Sequence, residues 1–171
     1  MNELNSNQRL IYLQGLVGSG GSNRVGDSIR TQSLEFHVLA TRNGTDGNVR
    51  VVIYRDSENQ GATPSTGDLL QSTGTLVNMT SPINWVNHNP NGERNRFVIL
   101  LDEVMSVSSS EPNVHHRVKL TQGVMKHARF RGTSSAMASS AEGALFIMVI
   151  TDQAANQPLI SWYSRIVFTD D

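Results

Sequence analysis

Val49-Arg-Val-Val-Ile-Tyr-Arg-Asp56, continued by Ser57-Glu-Asn-Gln-Gly-Ala62 and Thr63-Pro-Ser-Thr-Gly-Asp-Leu-Leu70, carries the strongest structural signal in this sequence. A β-branched run favours extended backbone, because branching at Cβ packs well on a pleated surface and crowds a helix. The run stops at an Arg-Asp pair, and a polar loop containing Gly61 turns the chain. Thr63 then offers an N-cap and Pro64 a first helical residue, which predicts a short helix over 65–71.

Outward from this segment the chain reads as strands and turns. Leu34, Phe36, Val38 and Ala40 alternate with Ser33, Glu35, His37 and Leu39, the period of a half-buried strand. Arg42-Asn-Gly-Thr-Asp-Gly47 is a turn, since Asn-Gly and Asp-Gly accept positive φ. Further strands are expected over 95–107, 114–121, 124–131, 144–150 and 159–169, with a weak one near 75–78. Ala144–Ile150 is apolar without alternation, as in a strand buried on both faces. Ile160, Trp162, Ile166 and Phe168 share one parity of the strand 159–169. Residues 1–21, polar and glycine-rich around Leu10-Ile-Tyr-Leu13, form a flexible or edge-paired lead-in, and 22–171 form the folded domain. Eight strands and no long helix describe an all-β sandwich or barrel.

Composition narrows the chemistry. The 171 residues hold no cysteine, so disulfides and thiolate-bound metals are excluded. Fourteen Lys and Arg against fifteen Asp and Glu give a net charge of −1, without the basic excess of an overt nucleic-acid binder. No apolar run approaches the ~20 residues that span a bilayer. The amino-terminal residues lack the charged-then-apolar pattern of a signal peptide. Gly15–Ser22 lacks the Gly-Lys-Ser/Thr ending of a phosphate loop. His115 and His116, adjacent in a strand, point to opposite faces and cannot share a metal. The neighbours Asp102 and Glu103 diverge likewise, which argues against acid/base catalysis, and no nucleophile elbow is present. Lys126, Arg129 and Arg131 with Phe130 form either a solvated strand face or a phosphate-gripping stripe with a stacking aromatic.

Four stretches carry a family likeness: Asn23-Arg-Val-Gly-Asp-Ser-Ile-Arg30, the segment Val49–Leu70, Arg96-Phe-Val-Ile-Leu-Leu-Asp102 and Ile166-Val-Phe-Thr-Asp-Asp171. In this order and at these separations they resemble the coat proteins of the satellite tobacco necrosis virus group. Related single jelly-roll capsid proteins occur in small circular single-stranded DNA viruses. The resemblance implies an eight-stranded jelly-roll sandwich with one short helix. It implies a non-enzymatic virion protein, assembled in the host cell into a T=1 shell of about sixty copies around a single-stranded genome. Coat proteins of this group begin with a basic arm. Arg9 is the only basic residue before Arg24, so that arm is expected to be absent or truncated.

The resemblance also implies sites. Calcium between subunits would use Asp170 and the backbone carbonyls of Val25 and Ser28, while the family's further acidic ligand has no counterpart in Gly18-Ser-Gly-Gly21. Arg30 and Arg55 match inward-facing positions that approach the genome, and Arg94 and Arg96 lie alongside. Arg55-Asp56 reads equally as an internal ion pair. Trp85, in the long loop after the helix, is the expected contact with a neighbouring subunit. A glycan-binding or adhesive β-sandwich is the alternative reading, and it requires an exposed aromatic platform.

Overall fold

A computed structural model describes residues 8–12, 27–59, 61–70, 96–121, 126–131, 137–153 and 155–170. Within them lie eight strands: β1 (Gln8–Tyr12), β2 (Ser28–Thr41), β3 (Gly47–Asp56), β4 (Phe97–Val107), β5 (Asn113–Leu120), β6 (His127–Arg129), β7 (Ala144–Thr151) and β8 (Leu159–Asp170). One four-residue helix, α1 (Thr66–Leu69), and a 3-10 turn at Met137–Ser139 complete the described elements. All strand pairs are antiparallel. The expected weak strand near 75–78 lies outside the described residues.

The first sheet runs β1-β7-β3-β4, so the lead-in supplies an edge strand against β7. The second is built around β2, the longest strand. β8 follows one side of β2 from Ile29 to Thr41, while β5 and β6 share the other, at Leu34–Thr41 and Ser28–Arg30. The two sheets close as a jelly-roll sandwich. Leu34, Phe36, Val38 and Ala40 of β2 meet Val49, Val51 and Ile53 of β3 and Leu145, Ile147 and Val149 of β7 in the central core. Trp162 and Ile166 pack against this core and Phe168 against a smaller cluster of Ile29, Ala128 and Phe130, as the shared parity of β8 predicts.

The sheets differ in how they are covered. On the far side of the first sheet, Val52, Tyr54, Phe146, Met148 and Ile150 pack with Leu69 and Leu70 of the helical segment. Tyr54 is stacked on Phe146 and meets Phe97 edge-on, with ring centroids 5.5 Å apart in both pairs. Both faces of β7 are therefore buried, which is why its sequence does not alternate. Among the described residues no comparable layer covers the second sheet, and the outward residues of β2, β5 and β8 are half-buried or exposed.

The helix begins later than the sequence predicts. Ser65, not Thr63, caps it. The Ser65 hydroxyl accepts from the Asp68 amide at 3.3 Å, and the Asp68 carboxylate accepts from the Ser65 amide at 2.7 Å. This reciprocal capping box gives the Ser65 amide an acceptor and the Asp68 amide a second one beside the Ser65 carbonyl at 3.2 Å. These Ser65 bonds hold the Asp68 carboxyl below its usual pKa.

Gly143 fixes the turn into β7. Its φ is +84°, its amide donates to the Asp56 carbonyl at 2.8 Å, and a Cβ there would stand 2.3 Å from the His127 carbonyl oxygen. An L-residue meets both a disfavoured dihedral and a backbone clash that no rotamer relieves. Gly143→Ala is expected to lower stability by at least about 1 kcal/mol, read as a lower urea midpoint at unchanged slope. A variant as stable as the parent would show that β6 moves away from this turn.

Candidate nucleic-acid interface

The open face of the second sheet collects cations from four strands. Residues directly opposite in an antiparallel pair share a face. The β2 register therefore places Lys119, Glu35 and Arg165 in one row and Arg117, His37 and Tyr163 in the next. The row beyond holds His115, Leu39 and Ser161. At the other end, a bulge between Thr31 and Ser33 restores the parity so that Arg30 faces the same way, flanked by His127 and Thr169. Ser28 stands opposite Arg129.

Charge balance on this face departs from that of the whole chain. Glu35 is the acid set among Arg30, Arg117, Lys119, Arg129 and Arg165 in these rows. It is bonded to Lys119 at 3.2 Å and, closely, to Arg165. Lys119 first, then Arg165, hold the Glu35 carboxyl below its ordinary pKa. A lowered carboxylate contributes above its unfolded pKa, and the contribution disappears as pH falls through the folded value. The bridge is therefore complete at neutral pH. Arg129 approaches Glu142 at 4.0 Å, whereas Arg30 and Arg117 have no ion-pair partner among the described residues. The His37 and His115 rings lie 5.9 Å apart. Tyr163 is 84% exposed.

The three candidate arginines among the described residues do not form one site. Arg30 lies on the open face. Arg55 shares the inward parity of Val51 and Ile53 at the end of the central core, where burial lowers its pKa. Arg96 is engaged elsewhere: its Nε and Nη2 donate to the two Asp56 carboxylate oxygens at 2.9 and 2.8 Å. The internal ion pair at the end of β3 thus joins Asp56 to Arg96, not to Arg55. Arg94, Val25 and Trp85 lie outside the described residues. The backbone register sets Asp170 opposite Ile29, one position from Ser28.

Two sequence readings are resolved by burial and pairing. Phe130 is 7% exposed against Ile29 and Ala128, so it belongs to the core and is not available to stack a base. Asp102 and Glu103 do diverge, Asp102 to Arg50 at 2.7 and 2.6 Å and Glu103 to His116. Arg117, Arg165 and Tyr163 are the residues the sequence reading missed. Their i, i+2 spacing in β5 and β8 marks single faces, but only the β2 register joins those faces.

Antiparallel sheets closed over one core, one sheet covered on both sides and the other presenting a broad cationic face, define a jelly-roll protein that works through surfaces. The chain belongs to the satellite tobacco necrosis virus coat protein family, whose model matches residues 9–171. It is 28% identical over 158 residues to the coat protein of Maize white line mosaic Satellite virus, a match covering 91% of this chain and 69% of that protein. It is 27% identical over 137 residues to the capsid protein of Satellite tobacco necrosis virus 1, covering 80% and 65%. Against the coat protein of Satellite tobacco necrosis virus 2 it is 27% identical over 148 residues, covering 86% and 69%. The matches span about two thirds of each relative's length. The family's role is structural, as a component of the virion.

Proposed function

We propose that this chain is the subunit of a T=1 shell of about sixty copies in closed symmetry, with the open face of the second sheet turned towards a single-stranded genome. The observation that carries this reading is the gathering of Arg30, Arg117, Lys119, Arg129 and Arg165 on one uncovered face of a chain whose net charge is −1. Such a face attracts phosphate locally while the subunit as a whole does not. The subunit has no catalytic step to perform. Tyr163 is the strongly exposed aromatic among the described residues, and its cationic setting suits phosphate better than the neutral sugars of a glycan-binding module. Phosphate binding is blind to sugar identity, so RNA and DNA genomes fit equally. Particle size by light scattering and negative-stain microscopy, with the ultraviolet absorbance ratio of the same particles, tests the reading. Closed shells that carry nucleic acid are expected, and a stable monomer or dimer overturns it.

Calcium enters this proposal only as an ion shared between subunits. Among the described residues no three His, Asp or Glu gather to hold a metal. Asp170 and Ser28 from one subunit fall short of the six to eight oxygens calcium takes. A neighbouring copy would have to complete the shell of ligands. Chelation at neutral pH is expected to lower the melting temperature of assembled particles, and Asp170→Asn to remove that difference. Identical melting with and without chelator excludes the ion.

A further inference from the structure

We propose that Tyr163 is a stacking platform for an unpaired base, so that the open face selects single-stranded over duplex nucleic acid; this rests on that face being the genome-binding surface. An aromatic ring 84% exposed at the middle of a twelve-residue strand contributes little to the fold. The Tyr163 side chain has no ring contact or hydrogen bond among the described residues, in contrast to Tyr54 in its aromatic cluster. Its neighbours on the face are the groups a nucleotide needs. Arg165 is two residues along the same strand, at about 7 Å from the strand repeat, and Arg117 is two strands across, at about 10 Å from the sheet spacing. His37 lies between Tyr163 and Arg117 in the row. A shallow depression joins these residues, lined by Glu35, His37, Arg117, Tyr163, Ser164 and Arg165.

A base lying on the phenol therefore has cations on two sides within reach of its flanking phosphates. Every base has a π-face, so such contact is tolerant of sequence, as coating a whole genome requires. Bases inside a duplex are already stacked on both faces, and a helix can offer the platform only its phosphates. Arg117 and Lys119 serve both forms through charge. Tyr163 adds affinity for the unpaired form alone.

The test compares a fluorescently labelled oligothymidine of about twelve nucleotides with a duplex of similar length, titrated against the whole protein by anisotropy in low and moderate salt. Tyr163→Ala is expected to weaken single-strand binding roughly tenfold to a hundredfold, the loss typical of one stacked base, and to leave duplex binding unchanged. Tyr163→Phe, which keeps the ring, is expected to bind as the parent does. Arg117→Ala should weaken both probes and flatten their salt dependence. Single-strand binding unaltered by Tyr163→Ala, with parental affinity for both probes intact, overturns the platform and leaves the genome-facing reading standing. Parental protein that binds neither probe overturns both. A Tyr163→Ala protein that binds normally but forms altered particles assigns the ring to a subunit contact and overturns the platform.

Discussion

Arg117→Ala, Lys119→Ala and Arg165→Ala combined are expected to lower single-strand affinity about a hundredfold at ~0.1 M salt. Each phosphate contact releases condensed counterion and contributes a slope of about −0.7 on a double-logarithmic salt plot for single strands, so losing three should flatten that plot by about 2. All three side chains lie on the open face and are exposed, so the shell itself is expected to form at its normal size. Purified particles should carry less nucleic acid, read as a lower absorbance ratio. Glu35→Gln supplies the opposite sign. It removes the acid that Lys119 and Arg165 share and should strengthen binding and steepen the salt dependence. A triple variant with parental nucleic-acid content would place the genome against another surface.

Arg96→Ala is expected to have the larger effect on folding. Asp56 has no solvent exposure, and truncating Arg96 removes two charge-assisted bonds from it. Stranding a buried carboxylate costs ~3–5 kcal/mol in a fully buried pair. Arg96 is about a third exposed, and Asp56 keeps the Glu58 amide at 3.0 Å, so a loss of about 2–3 kcal/mol is expected here. Arg96→Lys should recover part of it, because a single ammonium cannot reproduce the two-pronged contact. Asp56 raises the Arg96 pKa still further above its ordinary value. A raised cation contributes fully below its unfolded pKa, so the pair should be insensitive to pH across the neutral range. Urea denaturation measures the loss. Nucleic acid bound per correctly folded particle should be unchanged, and a selective fall in that quantity without destabilisation would return Arg96 to the genome-binding set.

The sequence made the two modes of burial legible. Alternation in 33–40 and its absence in 144–150 report one covered face and two, because burial writes its period directly into the chain. The helix start was displaced by competing local chemistry. Thr63-Pro64 is a valid opening, but Ser65 and Asp68 satisfy each other as well as the helix. The candidate site was less legible. Arg30, Arg55 and Arg96 were grouped by their motifs, yet strand parity sends Arg55 inward and Asp56 captures Arg96. Arg117 and Arg165 become neighbours only because β2 passes between β5 and β8, and cross-strand register leaves no local trace in sequence.

The pairing of distant segments sets a schedule for synthesis. β1 waits for β7, with Gln8 opposite Ile150, and β2 waits for β8, with Ile29 opposite Asp170. On a ribosome the β3–β4 pair can form early, but β2 gains its longest partner only after residues 159–170 emerge. Until then the edge of β2 that β8 fills stays open. Such non-local closure is slow, and chains held in it are prone to aggregate. The cationic face takes Arg165 from β8, so it too is completed only at this step. A nascent chain thus completes its second sheet and its cationic face at the same step.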